Sequence, residues 1–301
     1  MRIGVDLGGS KIEIIAIDAQ GAEIQRRRVP TPHADYQAIV KTITDLVADV
    51  EAAIGEQASV GIGTPGALSS HTGLLKNSNT TCLNGKPLLQ DLQTALGRPI
   101  QLANDANCFA LSEAVDGAGR DANVVFGVIL GTGVGGGVVV QRRAWSGVNS
   151  IAGEWGHNAL PWPQANELPG PECYCGRQGC IETFLSGPGL ARELSEHTGL
   201  ALSASEIAER AERGDASCDE ALRRYESRLA RGLASVINLL DPDLIVLGGG
   251  LSNVARLYRN VPELWGQWVF SDTVRTRLSR AVHGDSSGVR GAAWLWSDDT
   301  P

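Results

Sequence analysis

The sequence is poor in cysteine and has no long apolar run, and each scarcity excludes a class of protein. Six cysteines among 301 residues are too few for a disulfide scaffold, so clustered cysteines point to metal binding instead. No apolar stretch approaches the ~20 residues that span a bilayer. The first residues carry no signal-peptide pattern. We therefore expect a cytoplasmic protein with no membrane partner.

Positive charge is also scarce. Lys and Arg number 26 against 34 Asp and Glu, which gives a formal net charge of −8. Nucleic-acid binding requires clustered cations to neutralise phosphates, so we expect no nucleic-acid partner. Residues 26–28 are a run of three arginines at the end of a predicted strand. A solvated edge strand is the favoured interpretation, and a phosphate-binding patch is the alternative.

The sequence contains a pattern of strand, glycine-rich turn and strand that occurs twice. Strand patterns at 2–7, 12–17 and 22–29 predict an antiparallel meander. A strand at 123–130, a glycine turn at 131–137 and a strand at 138–141 repeat its beginning. A chain of this length exceeds one ordinary hydrophobic core. We infer two duplicated α/β domains, residues 1–117 and 118–287, which face each other across a cleft, with a C-terminal helix at about 288–301 packed on the first.

The remaining elements follow from hydrophobic spacing. One face of a helix is apolar over 35–54, and 57–63 predicts a strand. The last third is predicted to be mostly helical, with a strand at 244–247; the helices are expected at 186–198, 203–213, 216–240, 253–267 and 288–297.

The glycine turns are candidate phosphate sites. Gly131, Gly133 and Gly136 match the dinucleotide-binding spacing, but a β-branched run follows where that motif requires a helix. Neither glycine turn has the Walker pattern. The remaining interpretation is a hairpin whose backbone N–H groups face phosphate, and a plain structural hairpin is the alternative for each turn alone. A third glycine cluster at 248–250 favours the phosphate interpretation.

Asp6 lies at the end of the first strand, just before Gly8 and Gly9. Phosphates would repel a carboxylate at this place unless a cation came between them, which predicts a Mg²⁺-linked role. Lys11 can neutralise phosphate charge, although an exposed strand lysine is the commoner explanation.

Asn104 and Asp105 stand where a short strand meets a helix that runs to about residue 117. Asp105 suits the N-cap of this helix. The carboxyl ends of strands are also where α/β proteins place their chemistry. A carboxylate at this place can accept the proton of an attacking hydroxyl, and Asp105 is the candidate. Asn104 can position a hydroxyl-bearing substrate through its donor and acceptor.

The cysteine cluster is the most specific chemical signal. Cys173, Cys175 and Cys180 lie within eight residues, and His157 lies shortly upstream. Three thiolates and one imidazole complete a closed tetrahedral zinc shell, so the site is expected to be structural. Redox cysteines are the alternative. Glu154 and Glu182 flank the cluster. A functional role is one interpretation of each, and an ordinary surface carboxylate is the alternative.

Together these segments resemble the ROK family (repressors, open reading frames and kinases), whose fold is the two-domain actin/hexokinase-like, ribonuclease H-like ATPase fold. Ser10 replaces the threonine usual in the first phosphate motif and keeps its hydroxyl. The matching segments are DLGGSK at 6–11, GTPG at 63–66, NDAN at 104–107, LGTGVGGG at 130–137, EWGH at 154–157, CYCGRQGCIE at 173–182 and LGGG at 247–250.

The resemblance implies roles for individual residues. Asp105 would be the catalytic base, and Asp6 the Mg²⁺-linked carboxylate. Sugar hydroxyls would be bound by Asn104, Asp105, Glu154, His157 and Glu182, with Gly66 and Asn79 as further contacts. ATP would be bound by Asp6, Gly8, Gly9, Ser10, Lys11, Gly131, Thr132, Gly133, Gly135, Gly248, Gly249 and Gly250. Structural zinc would be held by His157, Cys173, Cys175 and Cys180. A homodimer is also expected.

Within the family, residues 76–85 and 283–293 are similar to the fructokinase (manno-fructokinase) branch. This implies transfer of the ATP γ-phosphoryl group to O6 of fructose, with mannose as a second acceptor. The alternatives are a glucokinase, an N-acetylglucosamine kinase or an N-acetylmannosamine kinase. A sugar-sensing repressor would carry a helix-turn-helix before the first phosphate motif, and Asp6 leaves no room for one. A binding module without turnover would need neither Asp105 nor the phosphate turns.

Overall fold

The structure is a computed structural model that describes residues 1–284 and 287–296. The chain divides into two compact units. Unit 1 comprises Met1–Asp121, Gly137–Ala152 and the chain from Val282 onward, and unit 2 comprises Ala122–Gly136 and Gly153–Ala281. The predicted division at 117/118 assigns 118–121, 137–152 and the segment from Val282 to the predicted C-terminal helix to the second domain, whereas unit 1 contains all three.

The first sheet carries the polar ends of three parallel strands. Its order is β3-β2-β1-β4-β7; β1 to β3 form the predicted antiparallel meander, and β1, β4 and β7 are parallel. The elements up to residue 121 are β1 (Arg2–Leu7), β2 (Lys11–Ile17), β3 (Glu23–Pro30), α1 (Tyr36–Ile54), β4 (Ser59–Thr64), β5 (Ala67–Leu68), β6 (Leu75–Lys76), α2 (Leu88–Leu96), β7 (Gln101–Asn104) and α3 (Asp105–Val115).

Helices cover both faces of this sheet. Helix α1 starts where the Asp35 side chain accepts from the Ala38 N–H and ends at Gly55 with φ 77°, and its apolar stripe joins the core of β1, β2 and β4. Helix α9 (Ser287–Ala293) packs Val289 and Ala293 against β2. It also lies close on β1, because a Cβ atom at Gly4 would come 2.1 Å from the Val289 carbonyl oxygen.

The edge strand β3 explains the arginine run. Arg26 and Arg28 pair with Glu13, which is 1% exposed, at 2.5 Å and 2.6 Å. Arg27 pairs instead with Asp49 at 3.0 Å. The run thus lies on an edge strand, as predicted, but two of its three guanidinium groups neutralise a buried carboxylate.

The second sheet has the order β10-β9-β8-β11-β12. When β8 is matched to β1, this is the order of the first sheet, which confirms the predicted duplication. Strands β8, β11 and β12 are parallel, as are their counterparts β1, β4 and β7. The elements after residue 121 are β8 (Val124–Leu130), β9 (Val134–Val140), β10 (Arg143–Ala144), α4 (Ile181–Leu185), α5 (Gly187–Thr198), α6 (Ala204–Glu212), α7 (Ala216–Leu240), β11 (Leu244–Gly248), α8 (Leu257–Trp265), β12 (Arg277–Arg280) and α9.

Some boundaries depart from the sequence prediction. Strand β9 begins at Val134 and not at 138, so Gly135 is a strand residue and not a turn residue. Helix α8 is shorter than the predicted 253–267, because a 3₁₀ turn at Gly250–Asn253 precedes it. The end of the predicted C-terminal helix (297–301) lies outside the described residues, as do residues 285 and 286 of the fructokinase-like segment. Within the described ranges, no helix has the length and apolar character to cross a membrane.

Candidate functional site

Unit 1 brings Asp6 and Asp105 to one edge of its sheet. Parallel pairing sets Asp6 opposite Gly63 and Thr64 opposite Asn104, so the carboxyl ends of β1, β4 and β7 meet. Desolvation and then the charges of Asp105 and Glu13 raise the pKa of Asp6 to about 6, opposed by Lys11 and Arg28. Neighbouring carboxylates held in this way are relieved by a bound cation.

Asn104, and not Asp105, caps helix α3. The Asn104 side chain accepts from the Ala106 N–H at 2.8 Å and donates to the Gly66 carbonyl oxygen at 3.0 Å. Asp105 is the first helical residue, and its Oδ1 also accepts from the Ala106 N–H at 2.8 Å. The N-cap prediction for Asp105 was therefore wrong by one residue, because Asn104 ends β7 in an extended conformation. Its polar atoms join the helix start to the turn at Gly66.

Gly66 is required at that turn. Its φ is +81°, and a Cβ atom would lie 2.4 Å from the Lys76 carbonyl oxygen. The following loop is held by Asn84, whose side chain bonds to the Ser78 N–H at 2.8 Å and to the Ser78 carbonyl oxygen at 2.9 Å. Asn79, a predicted sugar contact, is exposed on this loop.

The first glycine turn is a tight hairpin end. The Gly8 N–H donates to the Lys11 carbonyl oxygen at 2.9 Å, and the Thr31 hydroxyl donates to the Gly8 carbonyl oxygen at 2.7 Å. The Lys11 ammonium lies 3.7 Å from Glu13. Thr80 Oγ1 would be 3.4 Å from a Cβ atom at Gly9; it is buried and has no hydrogen-bond partner among the described residues. No sequence signal had singled out Thr80.

The second glycine turn, in unit 2, is tied to Glu182. The Gly131 N–H donates to the Gly133 carbonyl oxygen at 3.0 Å, and Glu182 Oε2 accepts from the Val134 N–H at 2.9 Å. A Cβ atom at Gly133 would lie 2.7 Å from the same carboxylate oxygen. Glu182, a predicted sugar contact, therefore also fixes the start of β9.

A cavity of about 780 Å³ opens beside this turn. Of the residues predicted to contact ATP, Gly131, Thr132 and Gly250 line this cavity, whereas Gly133, Gly135, Gly248 and Gly249 are not among its lining residues. Gly249 instead permits a close backbone contact, because a Cβ atom there would lie 2.5 Å from the Leu130 carbonyl oxygen. The other walls were missed from sequence; they are Leu130, Gly187, Pro188, Ala191, Ser203, Ala204, Ser205, Ala208, Glu209, Glu212, Leu251, Asn253 and Val254.

The four predicted metal ligands lie together. One ligand atom each from His157, Cys173, Cys175 and Cys180 fall within 4.8 Å of one another. Cys173 Sγ is 3.5 Å from His157 Nδ1, and Cys175 Sγ is 3.6 Å from Cys180 Sγ. Tetrahedral zinc with Zn–S bonds near ~2.3 Å requires ligand–ligand distances of about 3.8 Å. The donor set and its spacing therefore fit zinc, with no further position for a substrate.

His157 is approached from two sides. Its Nδ1 faces Cys173, and its Nε2 lies 2.9 Å from the Tyr174 hydroxyl oxygen. The two rings meet edge to face at 5.1 Å and 89°. Desolvation and then the charge of Glu182 raise the pKa of Tyr174 to about 12, with Glu154 contributing. The Tyr174 hydroxyl is therefore close enough to Glu182 and Glu154 for their charges to act on it, and it contacts His157 directly.

Trp155 fixes the segment between Glu154 and His157. Its ring is 5% exposed, packs edge to face on Phe126, and donates its Nε1–H to the Gly135 carbonyl oxygen at 3.3 Å. Gly156 approaches the same strand so closely that a Cβ atom would lie 2.2 Å from the Val134 carbonyl oxygen. Unit 2 thus holds Glu154, His157 and Glu182, while unit 1 holds Asp6, Asn104, Asp105 and Gly66.

Comparison with known proteins identifies the family to which the chain belongs. The ROK family model matches residues 2–299. The chain belongs to the ROK family. It is 42% identical over 300 residues to an N-acetyl-D-glucosamine kinase of Pectobacterium atrosepticum, with 98% of each chain covered.

Two solved structures share its fold. The ROK hexokinase of Thermus thermophilus has a TM-score of 0.86 at 29% identity, covering 98% of this chain and 97% of that one. A ROK family glucokinase of Streptomyces griseus, in complex with glucose and AMPPNP, has a TM-score of 0.75 at 29% identity, with 98% of both chains covered. The fold is the actin/hexokinase-like sugar-kinase fold expected from the sequence.

Proposed function

We propose that this ROK-family sugar kinase transfers the γ-phosphoryl group of ATP to the C6 hydroxyl of N-acetyl-D-glucosamine. The observation that carries the choice of sugar is the 42% identity, over 98% of both chains, to a kinase named for that substrate. The fructose preference predicted from residues 76–85 and 283–293 has no such support, and N-acetylglucosamine was among the alternatives. A repressor role is not favoured, because a regulator has no use for Asp105 beside Asp6.

The cavity in unit 2 supports a nucleoside triphosphate as the phosphoryl donor. None of its lining residues, all in the described ranges, is Lys or Arg, and α6 contributes Glu209 and Glu212. A triphosphate would be repelled at the α6 end, whereas the backbone of the glycine turn at Thr132, which carries no charged side chain, suits it. The apolar walls formed by Pro188 and its neighbours suit the base of the nucleotide.

Asp105 carries the proton chemistry in this proposal. As the C6 oxygen forms its bond to the γ-phosphorus, Asp105 accepts the hydroxyl proton. The bond from the γ-phosphorus to the bridging oxygen breaks, and its electron pair leaves with ADP. Asn104 and the turn at Gly66 fix the start of α3, and hence the position of the Asp105 carboxylate.

Two metal ions fit residues of the chain. Asp6 would hold Mg²⁺, which supplies positive charge to the triphosphate when bound; burial and the charge of Asp105 raise the pKa of Asp6, and a bound cation would offset both effects. His157, Cys173, Cys175 and Cys180 would hold zinc, which supplies rigidity to their loop. Glu154, His157 and Glu182 are then the proposed hexose ligands of unit 2.

An ADP-release assay across N-acetylglucosamine, N-acetylmannosamine, glucose, mannose and fructose tests the proposal. We expect the highest kcat/KM with N-acetylglucosamine. A higher value with fructose would restore the fructokinase prediction and leave the kinase assignment intact. ADP release with none of the five sugars, from a protein with full zinc content, would refute the kinase proposal.

A further inference from the structure

Tyr174 is the residue on which this inference is built. It stands between two metal-ligand cysteines, in a turn where the Cys173 N–H donates to the Arg177 carbonyl oxygen at 2.8 Å and the Gly176 N–H donates to the Cys173 carbonyl oxygen at 2.9 Å. Its backbone is therefore fixed by the same loop that holds the ligands. Only the side chain has freedom to move.

The side chain covers one nitrogen of His157. With Nδ1 directed at Cys173, the hydrogen-bonding capacity left to the imidazole for a sugar hydroxyl is Nε2. The Tyr174 hydroxyl occupies Nε2 at 2.9 Å, a normal hydrogen-bond distance. A hexose hydroxyl and the Tyr174 hydroxyl are chemically alike at this position and cannot both take it.

Little else holds the ring in place. Tyr174 is 84% exposed, and among the described residues its one ring contact is the edge-to-face pair with His157. Because the ring fills no core, moving it aside leaves no cavity and costs no buried packing. The contact is thus held mainly by one hydrogen bond, which contributes little net free energy in the presence of water.

We propose that Tyr174 is a displaceable gate that occupies the sugar-binding nitrogen of His157 until a hexose replaces it. The proposal rests on the proposed function, since it takes His157 as a sugar ligand. A protein whose binding-competent state is only partly populated shows an apparent Kd equal to the intrinsic Kd divided by the competent fraction. Tyr174 thereby weakens hexose binding and raises the hexose concentration that half-saturates the enzyme.

Tyr174→Phe separates the hydroxyl from the ring. We expect its Kd for N-acetylglucosamine, measured by titration calorimetry, to fall by about 2- to 10-fold, the range of one hydrogen bond. The KM should fall with the Kd while kcat stays unchanged, and zinc content should remain at the wild-type value. Tyr174→Ala removes the edge contact as well and should shift the Kd in the same direction.

The matched control is Tyr36→Phe, which removes the hydroxyl that donates to Asp91 at 2.5 Å in unit 1. It should leave the Kd for the sugar unchanged. An unchanged Kd in Tyr174→Phe would overturn the gate, and a raised Kd would show that the hydroxyl binds the hexose itself. These outcomes differ from failure of the proposed function, in which the wild-type enzyme phosphorylates no sugar.

Discussion

Asp6 is expected to destabilise the metal-free fold at neutral pH. Its pKa is raised from 3.8 to about 6, a difference of about 2.2 units, and one unit corresponds to about 1.36 kcal/mol. The folded state therefore binds the proton more tightly than the unfolded state. For such a group, stability falls as pH rises from about 4 to about 6 and stays low above that range. The cost of the ionised carboxylate above pH 6 is about 3 kcal/mol.

Asp6→Asn removes this cost while it keeps the shape of the side chain. In metal-free buffer at pH 8 we expect the variant to unfold at a Tm higher than that of wild type by on the order of 5 °C. Near pH 3.5, where Asp6 is largely protonated in both states, the two proteins should unfold at nearly the same temperature. The variant should also lose kinase activity, because the proposed Mg²⁺ ligand is absent.

Thermal unfolding followed by circular dichroism at both pH values measures this difference. Asp45→Asn is the control, since it neutralises an exposed carboxylate that pairs with Lys41 on α1, and such surface pairs contribute little. The reasoning about Asp6 fails if the difference in Tm between Asp6→Asn and wild type is equal at pH 3.5 and pH 8.

Two further substitutions test the proton acceptor and the metal loop. Asp105→Asn keeps an oxygen for the Ala106 N–H, so folding and sugar binding should persist while kcat falls by about 10²- to 10⁴-fold; a kcat within tenfold of wild type in the ADP assay would exclude Asp105 as the base. Cys175→Ser removes one of the four ligands, so zinc measured by elemental analysis should be lost and the KM for the sugar should rise as His157 loses its fixed position. A full zinc complement in Cys175→Ser would show that the ligand set is wrong.

The sequence predicted the features that depend on local chemistry. Alternating and β-branched residues predicted β1 to β3, and the spacing of three cysteines predicted a cluster that the structure brings within bonding range of one ion. The sequence also placed Asp6 and Asn104 at the ends of strands, and the parallel pairing of β1, β4 and β7 in the structure brings these ends to one edge.

The sequence did not predict features that depend on contacts between residues far apart in the chain. Gly136 was taken for a turn residue, yet it lies inside β9, where a Cβ atom would come 2.6 Å from the Gly153 carbonyl oxygen and 2.7 Å from Trp155. The lack of room for a side chain at Gly136 can be seen only in the folded structure. Three other features likewise arise from tertiary packing. They are the cavity lining from α5 and α6, the Thr80 hydroxyl, which has no hydrogen-bond partner among the described residues, and the contact of Tyr174 with His157.

The placement of α9 has a consequence for biosynthesis. Ile15 and Ile17 of unit 1 pack on Val289 and Ala293, which are synthesised only after the whole of unit 2. Unit 2 ends at Ala281 and can be complete while one face of the first sheet still lacks its cover. At translation rates of about 5–20 residues per second, this face stays exposed for at least ten seconds. The nascent chain is thus expected to need protection from aggregation along the uncovered face of β2.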